Sequence, residues 1–124
     1  MASKTKYFED LQVWQKAMDF VEDVYRHTRS FPQDEKFGLT AQIRRAARSI
    51  PFNVAEGSAK RSTKEFLRFI DMAMGSVAEV QTQLILAKRL TYVSAEAYAL
   101  LREKIDEVGR MLFGLERALQ EKVA

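Results

Sequence analysis

Apolar residues recur at intervals of three and four in four successive stretches of this 124-residue chain. An α-helix turns about 100° per residue, so this spacing gathers the apolar side chains on one face of each stretch. No stretch alternates with the period of two that a half-buried β-strand shows. The pattern therefore predicts an all-α chain with helices at about residues 9–29, 36–57, 62–90 and 95–121.

Local signals mark where these helices begin and end. Phe31-Pro32 closes the first helix, and Gly57 closes the second. Ser62 followed by Glu65 is a capping box, which predicts that the third helix starts at Ser62. Because proline has no amide hydrogen and crowds the preceding turn, Pro51 predicts that the second helix is kinked or broken nearby.

The connections between the predicted helices are short, so neighbouring helices should lie antiparallel. The expected architecture is an up-down-up-down four-helix bundle that forms a single domain over residues 1–124. The chain has no cysteine, which excludes disulfides and thiolate zinc sites. With no secretory leader pattern and no apolar run near the ~18 residues that span a bilayer, we expect a cytoplasmic protein without a membrane partner.

A polar stripe runs beside the apolar face of the second helix, and a matching stripe runs along the third. Polar groups cost free energy when they are buried without partners, so the two stripes form either a paired network or a functional surface. If they face each other, Arg45 can pair with Glu56 or Glu79, and Gln42 and Asn53 can bond Ser76 or carbonyls freed by Pro51. The predicted network comprises Gln42, Arg45, Ser49, Asn53, Glu56, Ser76 and Glu79.

The charge of the chain is unevenly distributed. Between Lys36 and Arg68 there are eight basic and two acidic residues, net +6, whereas the whole chain carries only +3. Such a basic band would attract a polyanion, although a solvated helical surface is the simpler explanation of the same count. The candidate nucleic-acid-binding residues are Arg44 and Arg48, which point away from the polar stripe, with Lys60, Arg61, Lys64 and Arg68.

Residues for catalysis or metal binding are scarce. His27 is the only histidine and has no glutamate three residues before it, so the di-iron pattern of helical bundles is missing. Gly75-Ser76 is an isolated pair that predicts close helix packing rather than a phosphate loop. We expect no catalytic residue, no metal and no cofactor, and a ligand pocket built on Glu56 and Glu79 is the least favoured function.

The apolar faces of the first and third helices are wider than one neighbouring helix can cover. Surplus apolar surface of this kind usually marks an interface. The sequence therefore favours self-association into a closed homo-oligomer.

Three motifs are recognisable along the chain. They are Phe8-x-x-Leu11-x-x-Trp14, the long run Phe31-Pro32-x-x-Glu35-x-x-Gly38-Leu39-x-x-Gln42-Ile43-x-Arg45-Ala46-x-x-Ser49-Ile50-Pro51-x-Asn53-Val54-Ala55-Glu56-Gly57, and Ala73-x-Gly75-Ser76-x-x-Glu79. In these motifs the chain resembles the four-helix bundle family encoded within intervening sequences of bacterial 23S ribosomal RNA genes. The resemblance extends from Phe8 to the end of the fourth helix.

The resemblance implies a small cytoplasmic bacterial protein that assembles as a cyclic homopentamer and has no established enzymatic activity. A remote relative, the accessory variability protein of diversity-generating retroelements, is a basic pentameric barrel that binds nucleic acid and a reverse transcriptase. The signature that carries over contains Gly75 together with the polar network, and no catalytic role comes with it.

Two function hypotheses follow from the sequence. The first is a non-enzymatic homo-oligomeric bundle whose basic band contacts structured RNA or DNA, or a nucleic-acid-handling protein. The alternative is a purely structural or protein-interaction module with no nucleic-acid role, in which the basic band only maintains solubility. Aromatic side chains are not interleaved with the cations, so neither hypothesis includes sequence-specific reading of single strands.

Overall fold

The computed structural model describes residues 7–123, and the fold over this range is the predicted one, with four α-helices and no strand. Residues 1–6 and 124 of the predicted domain lie outside the described residues. The helices are α1 (Gln12–Thr28), α2 (Leu39–Ser58), α3 (Thr63–Arg89) and α4 (Ala95–Val123).

The predicted boundaries differ from the observed ones mainly at two helix starts. The 3₁₀ turns Phe8–Asp10 and Gln33–Glu35 stand where the first two helices were expected to begin, so α1 and α2 both start about three residues late. The start of α3 is confirmed, because the Ser62 hydroxyl accepts a hydrogen bond from the Glu65 amide at 3.1 Å. This bond satisfies one of the amides that a helix start leaves unpaired.

Helix α2 is continuous through Pro51, so the broken alternative of the proline prediction does not occur. Pro51 itself is buried, and Ala47, Ile50 and Val54 around it are fully inaccessible to solvent. A single proline removes one backbone hydrogen bond, whereas the packing of these side chains holds both flanks of the helix in place.

Each helix packs against two neighbours, in the order α1, α2, α3, α4 and back to α1. The most extensive contact joins α2 and α3. The core lies between the four helices and is closed to solvent. Its largest fully buried side chains include Phe20, Ile43, Ile50, Ile70, Leu84, Leu101, Ile105 and Leu112.

Gly57, near the end of α2, sets how closely α3 approaches. A Cβ atom added to Gly57 would lie 2.7 Å from Cβ of Phe69 and 3.0 Å from Cδ1 of Phe66. Both distances are shorter than a carbon–carbon contact, which is about 3.5 to 4 Å at its optimum. Glycine at this position therefore permits the close crossing of α2 and α3.

The loops at the opposite end of α2 are tied together by one carboxylate. Oε1 of Glu35 accepts a hydrogen bond from the Leu39 amide at 2.9 Å and so caps the start of α2. Oε2 of the same side chain accepts a hydrogen bond from the Tyr92 hydroxyl at 2.9 Å. Tyr92 also packs on Phe31, with ring centroids 5.5 Å apart. The loop after α3 and the loop before α2 thus form one connected structure.

We predict that Gly57→Ala destabilises the fold by about 1 to 3 kcal/mol, the usual cost of forcing extra carbon into a packed site. The matched control is Gly114→Ala in α4, where an added Cβ meets nothing within 4 Å. Replacing this exposed helical glycine should stabilise the chain by about 0.5 to 1 kcal/mol. Urea unfolding of both variants measures the difference, and a Gly57→Ala variant as stable as Gly114→Ala would contradict the packing account.

Candidate functional site

The predicted polar stripes of α2 and α3 face each other across a seam. Oγ of Ser49 donates a hydrogen bond to Oγ of Ser76, and Nη2 of Arg45 lies 2.7 Å from Oε2 of Glu79. Of the two acids considered as partners for Arg45, the structure selects Glu79. These two contacts across the seam join four of the seven predicted network residues.

The seam lies at the surface rather than in the core. The side chains of Arg45 and Glu79 are 52% and 41% exposed. Gln42 accepts hydrogen bonds from Arg45 at 3.1 and 3.2 Å, and Gln83 donates one to Glu79 at 3.4 Å. Exposed ion pairs of this kind contribute only about 0 to 1 kcal/mol, so the seam does little to stabilise a single chain.

Two residues of the predicted network do not join the seam contacts. Nδ2 of Asn53 donates to the Ser49 carbonyl at 2.8 Å, within α2, and not to Ser76 or to the carbonyl of residue 47 that Pro51 leaves unpaired. The amide side chain is short, so it reaches back one turn of its own helix instead of crossing to α3. Glu56 is exposed and has no ion-pair partner among residues 7–123.

The antiparallel register of α2 and α3 also separates the two glutamates that a polar ligand pocket would need. Glu56 lies about 16 Å from Arg45 along the axis of α2. Because Arg45 contacts Glu79, the two glutamates are separated by a similar distance. The two carboxylates are too far apart to share a pocket, which argues against the ligand-binding function that the sequence favoured least.

The residues of α3 that are exposed between Met72 and Leu86 are uncharged, and the partly exposed Glu79 of the seam borders them. Between Met72 and Leu86 the exposed residues of this helix are Met72, Gly75, Ala78, Thr82, Ile85 and Leu86, which we call the α3 outer face. The register of the seam places Phe52 of α2, which is 62% exposed, level with Met72, which is 44% exposed. The face therefore presents apolar and small side chains to solvent.

Gly75 lies in the middle of the α3 outer face. A Cβ atom added there would meet nothing within 4 Å, so the predicted close packing at Gly75-Ser76 does not occur at the glycine. Glycine inside a helix costs about 0.5 to 1 kcal/mol relative to alanine. Nothing in the described part of the chain requires this glycine.

The surplus apolar surface predicted on α1 is used within the chain. Val13, Ala17, Phe20 and Val24 are buried, and Leu11, Trp14 and Val21 are half-buried against the same core. Within residues 7–123, α3 keeps apolar side chains exposed at Met72, Ile85 and Leu86. The wide stripe of α1 is explained by its two neighbouring helices, α2 and α4.

Four of the predicted cationic residues form a group at the turn between α2 and α3. Nζ of Lys60 and the guanidinium of Arg68 lie 5.3 and 4.8 Å from the centre of the Phe69 ring. Among residues 7–123 only Arg68 of this group has an ion-pair partner, Glu65 at 3.1 Å. The exposed residues Lys60, Arg61, Lys64 and Arg68 are named the junction cluster.

Arg44 and Arg48 do not belong to the same surface. Nη1 of Arg48 donates to the Tyr25 hydroxyl at 2.7 Å, and the guanidinium of Arg44 stacks over the Tyr25 ring at 4.7 Å. Both arginines are half-buried between α1 and α2, and Arg44 lies about 20 Å from the junction cluster along α2. They point away from the polar stripe, as predicted, but both contact Tyr25 of α1, so the predicted basic band is divided into two separate groups.

A buried carboxylate that is not among the predicted site residues links α1 to α4. Asp23 has a side chain only 8% exposed, and it lies 2.6 Å from Nζ of Lys104 and 2.5 Å from Nη2 of Arg26. Burial raises the pKa of Asp23, but the hydrogen bonds from Lys104 and Arg26 outweigh it and hold the pKa below its ordinary value. The sequence does contain a signal for this buried acid, because Asp23 lies between the apolar residues Phe20 and Val24 of α1.

Asp106 of α4 is a second acid whose pKa is lowered by hydrogen bonds, and like Asp23 it connects two helices. Burial also raises the pKa of Asp106, but hydrogen bonds from Arg102 and Gln81 hold it below its ordinary value. The bond from Gln81 joins α3 to α4. Over residues 7–123 no three histidine or acidic side chains cluster as metal ligands would. No helix in that range is long and apolar enough to cross a membrane.

Comparison with known proteins identifies a family and structurally similar solved proteins. The family model described as 23S rRNA-intervening sequence protein matches residues 9–114. A crystal structure of a protein with unknown function from the S23 ribosomal protein family of Bacteroides thetaiotaomicron is similar with a TM-score of 0.77. It shares 23% sequence identity, over 85% of this chain and 95% of that one. No curated protein matches, and neither description names an enzymatic activity.

We predict that Asp23→Asn lowers the free energy of unfolding at pH 7 by about 1 to 3 kcal/mol, the usual worth of hydrogen bonds to a charged group. Because the folded pKa of Asp23 is lowered, its contribution is complete above its unfolded pKa of about 3.9 and is lost as the pH falls through the folded pKa.

The difference between wild type and Asp23→Asn should therefore shrink below about pH 4. Asp19→Asn, at an exposed position of the same helix, is the matched control and should show no such change. Chemical unfolding from pH 7 to acid measures both. A wild-type advantage that stays constant into acid would contradict this assignment.

Proposed function

Because the chain belongs to the 23S rRNA-intervening sequence protein family, we propose that it is a non-enzymatic, self-associating helical bundle whose junction cluster binds structured nucleic acid. The observation that carries the nucleic-acid part is that Lys60, Arg61 and Lys64 are exposed where α3 begins and have no ion-pair partner among residues 7–123. Self-association rests separately on the α3 outer face.

The α3 outer face supports contact with a second copy of the chain. Its exposed side chains carry no charge, whereas an ordinary solvent-facing helix surface is polar. Gly75 adds a specific argument, since a helical glycine that the chain itself does not need is explained by close approach of a neighbouring backbone. The family resemblance implies a cyclic homopentamer, and this face would supply part of its subunit contact.

The junction cluster supports contact with phosphates. From Lys60 to Arg68 the chain has four cations and one acid, net +3. The amino-terminal end of α3 adds a partial positive charge at the same place. A cyclic assembly would repeat this cluster around its axis, and several weak contacts on one polyanion combine into a much higher overall affinity.

Such binding would follow the shape and backbone of the nucleic acid rather than its bases. The rings nearest the cations lie underneath them, as Phe69 does, and are buried, so they offer no stacking platform. Contacts limited to phosphates give affinity that falls steeply with salt.

An alternative function is that of a protein-interaction module with no nucleic-acid role. The uncharged α3 outer face favours it, because such a face fits a protein surface and not a polyanion. In this alternative the junction cluster only maintains solubility, and binding of the protein partner survives reversal of its charges.

We predict that Ala78→Lys disrupts self-association, because an unpaired ammonium in a protein contact costs several kcal/mol. Ala118→Lys introduces the same charge at an exposed position of α4 and is the matched control. Sedimentation velocity at micromolar concentration should give an assembly for wild type and Ala118→Lys, and a smaller species for Ala78→Lys. Identical sedimentation of the two variants would refute the assignment of the contact to this face.

We predict that a labelled structured RNA or DNA binds at about 50 mM salt and loses most of its affinity at about 200 mM salt. Arg61→Glu combined with Lys64→Glu should abolish binding. Arg89→Glu combined with Lys122→Glu changes the charge equally at exposed sites outside the cluster and should reduce binding only slightly. Fluorescence anisotropy measures all three proteins. If the intact wild-type assembly does not bind at low salt, the nucleic-acid proposal is wrong. If both variants lose affinity equally, the binding site is not the junction cluster.

A further inference from the structure

A second basic site lies at the other end of the bundle, where the α1–α2 loop folds over the start of α2. It is a cleft of about 210 Å³ between the end of α1 and the first turns of α2. Its polar lining residues are Thr28, Arg29, Gln33, Lys36, Thr40 and Arg44. The lining contains no acidic residue.

The cations of this cleft have no counter-ion in the fold. Among residues 7–123, no carboxylate lies within 4.0 Å of Arg29, Lys36 or Arg44. Three cations around one concavity repel one another, and a bound anion relieves that repulsion. The electrostatic character of the cleft therefore suits a small anion carrying more than one charge.

The guanidinium of Arg44 is fixed by contacts with α1. Its guanidinium stacks over Tyr25, its Nε donates to Oγ1 of Thr28 at 2.9 Å, and its Nη2 lies 3.4 Å from the Tyr25 carbonyl. These contacts fix the plane of the guanidinium and leave Nη1 without a hydrogen-bond acceptor among the described residues. A preorganised guanidinium is suited to binding a planar or tetrahedral oxyanion.

Unused donors of α2 belong to Thr40, which lines the cleft, and to Ala41, which follows it in the chain. Thr40 is only 8% exposed, lines the cleft, and has no hydrogen-bond partner for its hydroxyl within residues 7–123. Glu35 occupies the Leu39 amide, and Gln42 makes the first backbone bond of the helix to Gly38. The amides of Thr40 and Ala41 between them have no backbone acceptor in the described chain.

We propose that this cleft binds a phosphate group. The Thr40 hydroxyl and the free amides at the start of α2 donate to its oxygens, and Arg29, Lys36 and Arg44 neutralise its charge. Amides at a helix start are well suited to this role because they point along the axis toward the ligand. The cleft is independent of the proposed function, since it lies about 20 Å from the junction cluster along α2.

The test is a titration of the wild-type protein with inorganic phosphate at constant ionic strength, followed by amide NMR. The expected result is a saturable shift of the Thr40 and Ala41 amides. Arg29→Gln combined with Lys36→Gln should weaken that binding at least tenfold, and Arg117→Gln combined with Lys122→Gln, which removes the same charge at exposed positions of α4 outside both basic sites, should leave it unchanged. If the two amides do not respond to phosphate, or respond equally in both double variants, the proposal is overturned.

A second arm identifies the source of the phosphate. A short RNA carrying a 5′-phosphate and the same RNA with a 5′-hydroxyl compete against inorganic phosphate at the cleft. Stronger competition by the 5′-phosphorylated RNA assigns the site to a nucleic-acid end, and weak, equal competition by both assigns it to a free phosphate. Both results support phosphate recognition, and neither depends on whether the junction cluster binds RNA.

Discussion

The close crossing of α2 and α3 is the contact on which the rest of the structure depends. It is possible because Gly57 has no side chain where Phe66 and Phe69 approach it. The crossing sets the antiparallel register that places Ser49 opposite Ser76 and Arg45 opposite Glu79. With α2 on one side and α4 on the other, α3 keeps one face that no helix of the chain covers.

The polar and charged groups acquire their roles from this arrangement. Because the seam is exposed, its ion pair adds little to the stability of one chain, and its residues remain available to a neighbouring molecule. The cations divide between the two ends of α2, with the junction cluster at one end and the cleft around Arg44 at the other. A continuous basic band along the helix is replaced by two sites of different geometry, one an open surface and one a concavity.

Helical spacing predicts much of this structure, but it does not predict contacts that depend on how neighbouring helices pack. The four helices, the Ser62 cap and the Arg45–Glu79 option follow from local chemistry and from angles on a helical wheel. A helical wheel does not show how far a neighbouring helix reaches, so it places Arg44 and Arg48 away from the polar stripe but does not reveal their contacts with Tyr25 of α1. The exposure of the seam and the empty space beside Gly75 depend on helix tilt, which spacing does not encode.

The central claim is that a second copy of the chain covers the α3 outer face. Of the methionines at positions 18, 72, 74 and 111, Met72 is the most exposed in the single chain. A soluble nitroxide broadens the NMR signals of methionine methyl groups that it can reach, so the broadening measures how accessible each methionine is in solution. The account predicts that Met72 is shielded at least as well as the half-buried Met74. A Met72 methyl that is broadened the most, as the single chain implies, would contradict it.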